Sequence, residues 1–458
     1  MITLLAIFLV STWSGPANAE DSYRSIQPGD RYSVRSRSTL KGTLSLPPTK
    51  EGDAPRRLEV NGTATVRYRE RPLEVNDQGR IDRVLRLYDG VKYERTVGDQ
   101  QQEAGLRDDV KRVVLVRRNG RDIPYSPDAP LSWTEIDLLQ THVLVPVLER
   151  FLPKGSFAKG STWDVPKEAV LELTGLDALE SGTLHCTHHG VIDLSGRALE
   201  QIGFEGTLLG KTEDGQVRDL IRGGVYLDEK TRRLQSIRAL GTRQLLDRDR
   251  KVVGELEVDY GLILTPLEDD PELTDKVVAA IPGPTDELTA LLYEHPGLGG
   301  RVLHPRHWLL TSAVDRQMTF ESHGNALVIH WEKDGETPSG KQYREDILKH
   351  LADTNVKVTA STPVSKSTAK SGELETFRID AVEKGTPTVL AYGVLRSGKR
   401  GVTLAGRFRA EDASRLGGDL LAFARGIEFF QPAQPIGPES NPSGGLTDPR
   451  GALPKRGP

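Results

Sequence analysis

Three histidines and a cysteine lie within one stretch of five residues, His185-Cys186-Thr187-His188-His189. Imidazole and thiolate groups are the ligands that zinc and other soft metals prefer. On a β-strand, however, His185 and His189 would share one face, and Cys186 and His188 the other. Two histidines four residues apart on a strand lie about 13 Å apart, too far for one ion. The pattern therefore favours an ordinary strand, with a metal site at His185, His188 and His189 as the alternative.

A second group of histidines consists of His295, His304 and His307, the last two in the sequence His304-Pro305-Arg306-His307-Trp308. A structural zinc site needs four ligands, and no fourth ligand stands at a typical spacing from these three. We therefore expect surface histidines around a turn. Metal binding by this group is again the alternative.

The segment from Gly335 to Lys341, GETPSGK, has the G-x-x-x-x-G-K spacing of a phosphate-binding loop. It follows an apolar strand pattern that ends at Trp331 and precedes a helical pattern, which is the context that such a loop requires. However, Gln342 stands where the motif has the hydroxyl that binds Mg²⁺. We therefore interpret the segment as a solvent-exposed turn before a helix and not as a nucleotide site.

Other motifs for catalysis are missing from the sequence. It has no G-x-S-x-G elbow, no H-E-x-x-H pair and no dinucleotide-binding glycine pattern. Carboxylates are numerous but scattered, so a hydrolytic pair would have to meet in space. We predict no catalytic residue, no metal ligand and no cofactor. The 458 residues include 61 Lys+Arg and 65 Asp+Glu, a net charge of −4, which makes nucleic acid a poor partner.

The first residues have the pattern of a secretory signal peptide. Residues 2–10, ITLLAIFLV, are apolar, and Ala17-Asn18-Ala19 is a small-residue cleavage site, although no Lys or Arg precedes the apolar run. The alternative is a buried first strand. No other run approaches the roughly 18 apolar residues of a membrane-spanning helix. We predict a signal peptide over 1–19 and a periplasmic or secreted protein with no transmembrane segment in the mature chain.

The elements that must position these side chains begin with strands. From Tyr32 to Leu46 and from Leu58 to Tyr68, apolar and polar residues alternate, which predicts two long antiparallel strands with one exposed face. From Trp133 to Phe151 the apolar spacing is helical, and Pro146 predicts a split near Leu144–Val145. A second short helix is predicted at Lys167–Leu179. Strands and a hairpin with the turn Asp228-Glu229-Lys230-Thr231 follow.

Composition divides the chain after the first module. We predict a β-rich N-terminal domain over 20–265, a proline-rich acidic linker over 266–287 and a second domain over 288–432. In the second domain, strands surround a helix at Lys341–Leu351, and a closing helix is predicted at Glu411–Phe429. Residues 433–458 are rich in Pro and Gly with little apolar content, which predicts a disordered tail.

Residues of the second domain resemble a known family. Tyr293, Gly299, Val302, Pro305 and Trp308 read as Y…G-x-x-V-x-x-P-x-x-W and precede a short sheet, a helix and a closing hairpin and helix. This resembles the PsbP-like superfamily, named for an extrinsic protein of the oxygen-evolving complex, over residues 288–432. The resemblance implies an antiparallel sheet flanked by helices and a role in docking or assembly, usually without catalysis. Gly300 and Leu303 depart from the aromatic residues often found near those positions in the family.

The N-terminal domain, with long alternating strands and few helices, resembles the open β-barrel of periplasmic lipoprotein carriers and some uncharacterised exported bacterial proteins. That resemblance implies a concave sheet able to hold an apolar group, and no residue motif supports it.

The sequence therefore predicts an α+β fold of two β-rich domains. The N-terminal domain would be a curved antiparallel sheet or open barrel with few helices, and the C-terminal domain an antiparallel sheet flanked by helices. Each would bury one sheet face and present the other to a partner. We predict an exported, soluble, non-catalytic binding or assembly protein whose partner is an unknown envelope protein. A periplasmic carrier of an apolar or lipid ligand in the N-terminal domain is the alternative, and a hydrolase with an unrecognised site is third.

Overall fold

The computed structural model describes residues 23–46, 55–76, 80–118, 121–140, 142–153, 155, 157–194 and 196–431. The predicted signal peptide over 1–19 and the predicted tail over 433–458 lie outside these described residues. In the described part of the chain, no helix has both the length and the apolar composition needed to span a lipid bilayer.

Most of the regular structure is β-strand. The strands in chain order are β1 Tyr32–Leu46, β2 Arg56–Val75, β3 Ile81–Val97, β4 Gln100–Ala104, β5 Arg112–Arg118, β6 Arg121–Tyr125, β7 Leu131–Ser132, β8 Thr162–Asp164, β9 Ala178–Gly182, β10 His185–Leu194, β11 Arg197–Thr212, β12 Gly215–Asp228, β13 Leu234–Leu246, β14 Val252–Pro266, β15 Leu291–His295, β16 Gly300–His304, β17 Leu309–Val314, β18 Gln317–Ser322, β19 Asn325–Trp331, β20 Lys357–Ser361, β21 Ser365–Ala369, β22 Gly372–Glu383, β23 Thr386–Ser397, β24 Arg400–Arg409 and β25 Ile427–Phe429.

The helices are short apart from α6. In chain order they are α1 Trp133–Gln140, α2 Val145–Leu148, α3 Lys167–Thr174, α4 Asp275–Ala279, α5 Asp286–Thr289, α6 Gly340–Asp353, α7 Ala413–Leu416 and α8 Asp419–Gly426, and single 3-10 turns lie at Glu149–Phe151, Pro271–Leu273 and Pro296–Leu298.

The chain divides into two compact units. Among the described residues, unit 1 takes those up to Leu106, together with Leu115–Asp122 and Leu138–Ala280. Unit 2 takes Arg107–Val114, Ile123–Asp137 and those from Ile281 onward, so it includes two short segments from the first half of the chain. The sequence-based boundaries of 20–265 and 288–432 stay a prediction.

Unit 1 is built on a long antiparallel sheet. The strands that lie wholly within this unit have the order β3-β2-β1-β14-β13-β12-β11-β10-β8, with β4 beside β3 and β9 beside β11. The predicted alternation is confirmed, because Val34 and Val60 are buried whereas Arg35 and Glu59 are exposed. Neighbouring strands pair over long antiparallel runs, so each strand has one buried and one exposed set of side chains.

Helical segments cover one face of the unit 1 sheet. The ring of Phe151 packs against that of Phe204 with centroids 5.2 Å apart, and Trp163 Nε1 donates to the Phe151 carbonyl at 2.7 Å. The predicted helix split is confirmed, because α1 ends at Gln140 and α2 begins at Val145 with Pro146 in its first turn.

The second predicted helix of unit 1 is shorter than expected. The sequence predicts a helix over Lys167–Leu179, but α3 ends at Thr174 and β9 begins at Ala178. Gly175 ends the helix with a left-handed φ of +65°, which a residue without Cβ adopts at little cost. The prediction missed this C-cap glycine.

Unit 2 contains a larger antiparallel sheet with the order β17-β18-β19-β24-β23-β22-β20, in which β21 pairs with β22. A smaller sheet has the order β25-β16-β15-β7. On one face of the larger sheet, Tyr343 of α6 contacts Phe377 with ring centroids 5.9 Å apart. On the opposite face, Phe423 of α8 contacts Phe320 and Trp308 at 4.9 Å and 5.8 Å. Helices therefore pack on both faces, and the expectation that one face is left for a partner is wrong for this sheet.

The closing helix predicted at Glu411–Phe429 is also corrected. It is divided into α7 and α8 at Gly417-Gly418, and β25 begins at Ile427, which lies opposite Val302 of β16. Glycine is the weakest helix former apart from proline, so two glycines in succession favour a break. The residues predicted as a linker contain short helical turns, of which α4 is capped by the Thr274 side chain.

A test of packing in unit 2 uses Gly300. A Cβ atom at this position would lie 2.0 Å from the Trp331 ring, so Gly300→Ala must displace the ring. We expect the free energy of unfolding to fall by about 1–3 kcal/mol, which is typical of an overpacked core. The measurement is urea unfolding of the full chain followed by tryptophan fluorescence. Gly283→Ala is the control, because its added Cβ would meet no atom within 4 Å. Equal stability of the two variants would contradict the packing described here.

Candidate functional site

The face of the unit 1 sheet opposite the helical segments is exposed. Strand register fixes which side chains of this face lie beside one another. In the row that contains Thr39, the neighbours from β2 to β10 are Thr63, Thr39, Asp259, Leu240, Arg222, Glu205 and His185. We call the exposed surface of β1, β2 and β10–β14 the open face.

A groove crosses the open face. One part has a volume of about 870 Å³ and extends from Lys41 on β1 to His185 on β10. An adjoining part of about 430 Å³ shares four lining residues with it, which are His185, Glu205, Arg222 and Leu240. The two parts therefore form one continuous groove. Its lining mixes cations and carboxylates, so it suits a polar, charged partner.

Three glycines lie in one row of the open face, and two of them, Gly203 and Gly224, line the groove. Gly203, Gly224 and Gly261 lie in one row across β11, β12, β13 and β14. A Cβ atom on Gly203 would lie 2.5 Å from His189 Nε2, which shows that this imidazole covers Gly203. At Gly261 an added Cβ would meet no atom within 4 Å. The backbone at Gly261 is therefore open to an approaching group.

Large aliphatic side chains also stand on the open face. Leu220, Leu240 and Ile263 are 44%, 37% and 54% exposed. Ile263 lies directly opposite Arg35 on β1, so apolar and charged contacts are available side by side. Polar surroundings with exposed aliphatic side chains are typical of protein interaction surfaces.

The histidines of residues 185–189 lie in two separate environments, in agreement with the alternation of a strand. His185 and His189 lie on the open face and line the groove. His188 is buried on the opposite face together with Cys186. Burial raises the pKa of the Cys186 thiol to about 12, so it stays protonated and unreactive at neutral pH.

On each face of the strand, one histidine lies beside a carboxylate. His185 Nδ1 lies 2.6 Å from Asp164 Oδ1 at the edge of the groove, and His188 Nε2 lies 3.0 Å from Glu200 Oε1 in the interior. The Phe157 ring packs edge-on against the buried imidazole at 4.9 Å. Among the described residues, no group of three or more His, Cys, Asp or Glu side chains is placed to hold a metal ion.

The prediction of surface histidines at His295, His304 and His307 is wrong for His304. Its side chain is fully buried, and its ring stacks on Phe423 with centroids 5.7 Å apart. His304 ends β16, in which alternate side chains are buried. Val302, two residues earlier, is in the core, so His304 also points inward. His304 Nδ1 donates to the Pro305 carbonyl at 3.1 Å. Burial lowers the pKa of His304 to about 4, so the ring is neutral.

The other two histidines of this group have separate partners. His295 Nδ1 accepts a hydrogen bond from the Leu298 amide at 3.2 Å and so caps a 3-10 turn. His307 Nε2 lies 2.8 Å from Asp419 Oδ2, which also accepts from Trp308 Nε1 at 2.8 Å. The three imidazoles therefore serve three local roles and do not converge.

Residues 335–341, which have the spacing of a phosphate-binding loop, differ from such a loop at the start of α6. A phosphate would bind the backbone amides at this helix N-terminus. Here the Gly340 amide donates to Glu375 Oε2 at 2.7 Å, and that carboxylate also accepts from Arg396 at 2.7 Å. The Ser339 hydroxyl accepts from the Gln342 amide at 3.1 Å. An internal carboxylate thus occupies the place of a phosphate, in keeping with a turn before a helix.

Sequence reasoning missed a buried polar cluster in unit 1. Arg86 and Glu70 are fully buried and form an ion pair of 2.5 Å on neighbouring strands. The Tyr32 hydroxyl donates to the same carboxylate. Arg86 also donates to the Val143 carbonyl at 2.7 Å and lies over the Tyr68 ring, 4.5 Å from its centroid. The sheet is thereby tied to the chain segment that begins α2.

Burial and charge shift the pKa values of Tyr32 in this cluster and of the neighbouring His142. Burial and the neighbouring Glu70 carboxylate raise the pKa of Tyr32 well above its usual range, so its hydroxyl remains a donor. Burial and the Arg86 charge lower the pKa of His142 to about 3. Alternation could have indicated the cluster, because Glu70 and Arg86 fall in the inward phase of their strands, two residues from Tyr68 and from Val84.

Comparison with known proteins gives weak structural likenesses. No family model matches the sequence, and no curated protein matches it. Cyanobacterial PsbP (CyanoP) from Synechocystis sp. PCC 6803 is 9% identical over 31% of this chain and 92% of its own, with a TM-score of 0.25. The predicted PsbP-like resemblance is thus supported as a weak structural likeness only.

Two further solved structures are similar at the same level. MucB, solved in complex with MucA(peri), is 11% identical over 87% of this chain and 94% of its own, with a TM-score of 0.15. Lipovitellin is 13% identical over 52% of this chain and 25% of its own, with a TM-score of 0.28. The resemblance to lipoprotein carriers stays a prediction.

The buried ion pair makes a stability prediction. Arg86→Met leaves Glu70 buried without its cation, and we expect the free energy of unfolding to fall by about 3–5 kcal/mol. The double variant Arg86→Met/Glu70→Gln should recover part of that loss, because no unpaired charge remains. Urea unfolding followed by circular dichroism measures both. Arg238→Met, which breaks the exposed pair with Asp259, is the control and should cost less than about 1 kcal/mol. A double variant no more stable than Arg86→Met would contradict the coupling.

His304 makes a pH prediction. Its pKa is about 4 in the folded protein and 6.5 as the ordinary value, so the unfolded chain binds the proton first as the pH falls. Stability should therefore decrease from pH 6.5 to pH 4. In His304→Gln this decrease should be smaller by about 1–3 kcal/mol in urea titrations at each pH. The exposed His350, changed to Gln, should leave the decrease intact. The same pH dependence in His304→Gln and the parent would refute the assignment.

Proposed function

We propose that this is an exported, non-catalytic binding or assembly protein and that the open face of unit 1 is its partner-binding surface. The observation that supports this most is the exposed, continuous groove across β1 and β10–β14, which is lined by Leu220 and Leu240 among charged residues, with the exposed Ile263 on the same face. A sheet face of this kind presents both apolar and polar contacts to a protein surface. Export rests on the predicted signal peptide and places the protein in the periplasm or outside the cell.

A binding role is favoured over catalysis by the distribution of reactive groups. The carboxylates of the groove, Glu205, Glu257 and Asp259, come from two different rows and two different strands, β11 and β14. The buried pair of His188 and Glu200 lies on the opposite side of the sheet and beneath Phe157. A general acid or base must reach the proton that it transfers, and this pair has no such access.

A polar partner is favoured over an apolar ligand. A carrier of acyl chains needs a dry cavity lined by apolar side chains. The groove instead contains charged residues, and the apolar face of the sheet is packed by residues such as Phe151, Phe204 and Leu148, all buried. The alternative of a lipid carrier therefore has less support than a protein-binding surface.

Unit 2 is proposed as a PsbP-like domain with a supporting role in assembly. Its motif residues Val302 and Trp308 are fully buried, and Gly300 packs against Trp331. These residues therefore form the core of the unit. Because α6 and α8 pack on opposite faces of the larger sheet, we assign partner binding to unit 1.

Photo-crosslinking tests the proposal. A photo-crosslinking amino acid is placed at Ile263 or Leu240 on the open face, or at Val314 in unit 2, which is 61% exposed. In the cells that produce the protein, both positions on the open face should yield the same discrete crosslinked product, and Val314 should not. The open face would be refuted as the binding surface if all three positions gave the same crosslinked products. It would also be refuted if neither Ile263 nor Leu240 gave a product.

A further inference from the structure

Arginines are concentrated in two adjacent rows of the open face. The first row contains Arg67, Arg35, Ile263, Ser236, Tyr226 and Gln201, and the second contains Thr65, Arg37, Gly261, Arg238, Gly224, Gly203 and Thr187. These rows contain four arginines and no carboxylate. The next row contains Asp259 and Glu205 with one arginine, Arg222, so unbalanced positive charge is concentrated in a band on an otherwise mixed surface.

Three of these arginines have no ion pair. Arg35, Arg37 and Arg67 are exposed, and none has a carboxylate within 4.0 Å among the described residues. Arg35 and Arg67 lie directly opposite each other on β1 and β2. Like charges in directly opposed positions destabilise a sheet. This arrangement therefore does not stabilise the fold. A bound anion would neutralise the two positive charges.

The space around the arginines admits a chain segment. Gly261 separates Arg37 from Arg238 in the second row, and an added Cβ there would meet no atom within 4 Å. With about 4.8 Å between strands, the arginines from β2 to β13 span about 14 Å. An extended segment of about four or five residues covers that distance at about 3.3 Å per residue.

We propose that Arg35, Arg37 and Arg67, with Arg238 at their edge, bind an extended acidic segment of a partner protein that has two or more Asp or Glu carboxylates within about five residues. This inference rests on the proposed binding function of the open face and specifies the chemistry of its partner. Arginine suits this role because its guanidinium group can donate two parallel hydrogen bonds to one carboxylate. Ile263 lies beside Arg35 in the first row, so it would contact an apolar side chain of the same segment.

A protein segment is favoured over a membrane surface or a nucleic acid. Both of those are extended polyanions that need a broad positive surface. Here the band is bordered by Asp259 and Glu205, and the whole chain has a net charge of −4. Asp259 is paired with Arg238 at 3.1 Å, so a short acidic segment would bind mainly Arg35, Arg37 and Arg67, which lie away from that edge.

The first test measures binding of the full chain to a defined probe. The probe is a fluorescein-labelled peptide of sequence Glu-Val-Glu-Val-Glu-Val, and the matched peptide has Gln in place of Glu. We expect binding of the Glu peptide alone, weakened at least tenfold in Arg35→Gln/Arg37→Gln/Arg67→Gln. The control Lys230→Gln/Arg248→Gln/Arg250→Gln removes the same charge from exposed turns and should change binding less than twofold. The thermal midpoint of this three-arginine variant should equal or exceed that of the parent, which shows that lost binding does not come from unfolding.

Vesicles of phosphatidylglycerol and phosphatidylcholine provide the competing outcome. Binding to these vesicles that is lost in the three-arginine variant, without binding of the Glu peptide, would overturn the proposal in favour of a lipid surface. Equal binding of the Glu and Gln peptides, or no binding of either, would also overturn it.

The second test separates this inference from the proposed function. The crosslink from Ile263 is repeated in the three-arginine variant, and the partner peptide is identified by mass spectrometry. We expect at least a fivefold loss of product and a peptide with two or more carboxylates beside the crosslinked residue. An undiminished product on a peptide without carboxylates would overturn acidic recognition while the open face remained a binding surface. No product from Ile263 in the parent would overturn both.

Discussion

The register of β1 is the constraint on which both faces of unit 1 depend. From Tyr32 to Leu44 this strand pairs with β2 on one side and β14 on the other without a shift in either register. A slip of one residue would move every side chain of the strand to the opposite face. Tyr32 and Val34 would then reach solvent, and Arg35 and Arg37 would enter the core. The burial of the first pair therefore fixes the exposure of the second.

Polar groups on the covered face serve to hold the helical segments against the sheet. Arg86 reaches the Val143 carbonyl before α2, and Arg243 of β13 donates to the Thr174 carbonyl at the end of α3 at 2.7 Å. Arg243 is also paired with Asp219 at 2.7 Å. A cation at the C-terminal end of a helix compensates the unpaired carbonyls there. On this face, each of these arginines has both a carboxylate and a backbone partner.

Local pattern predicted much of the fold and little of the site. Alternation identified the long strands, and Pro146 identified the split between α1 and α2, because both signals depend on neighbouring residues. The length of α3 was overestimated because the C-cap at Gly175 was missed. The burial of His304 and the carboxylate of Glu375 at the start of α6 depend on partners distant in sequence. The row containing Arg35 and Arg67 likewise needed the register of two strands, which a single sequence does not give.

The two faces of this sheet thus place arginines in different surroundings, and our proposal of acidic recognition depends on that difference. Arg86 and Arg243 are oriented by carboxylates and carbonyls of their own chain, so their charge is used within the fold. Arg35 and Arg67 face each other in solvent, where their repulsion is screened but not compensated. A folded chain could reduce that repulsion with a single carboxylate on either strand. The described residues of these rows contain no such carboxylate, which is the basis of our proposal that an acidic segment of a partner supplies the compensating charge.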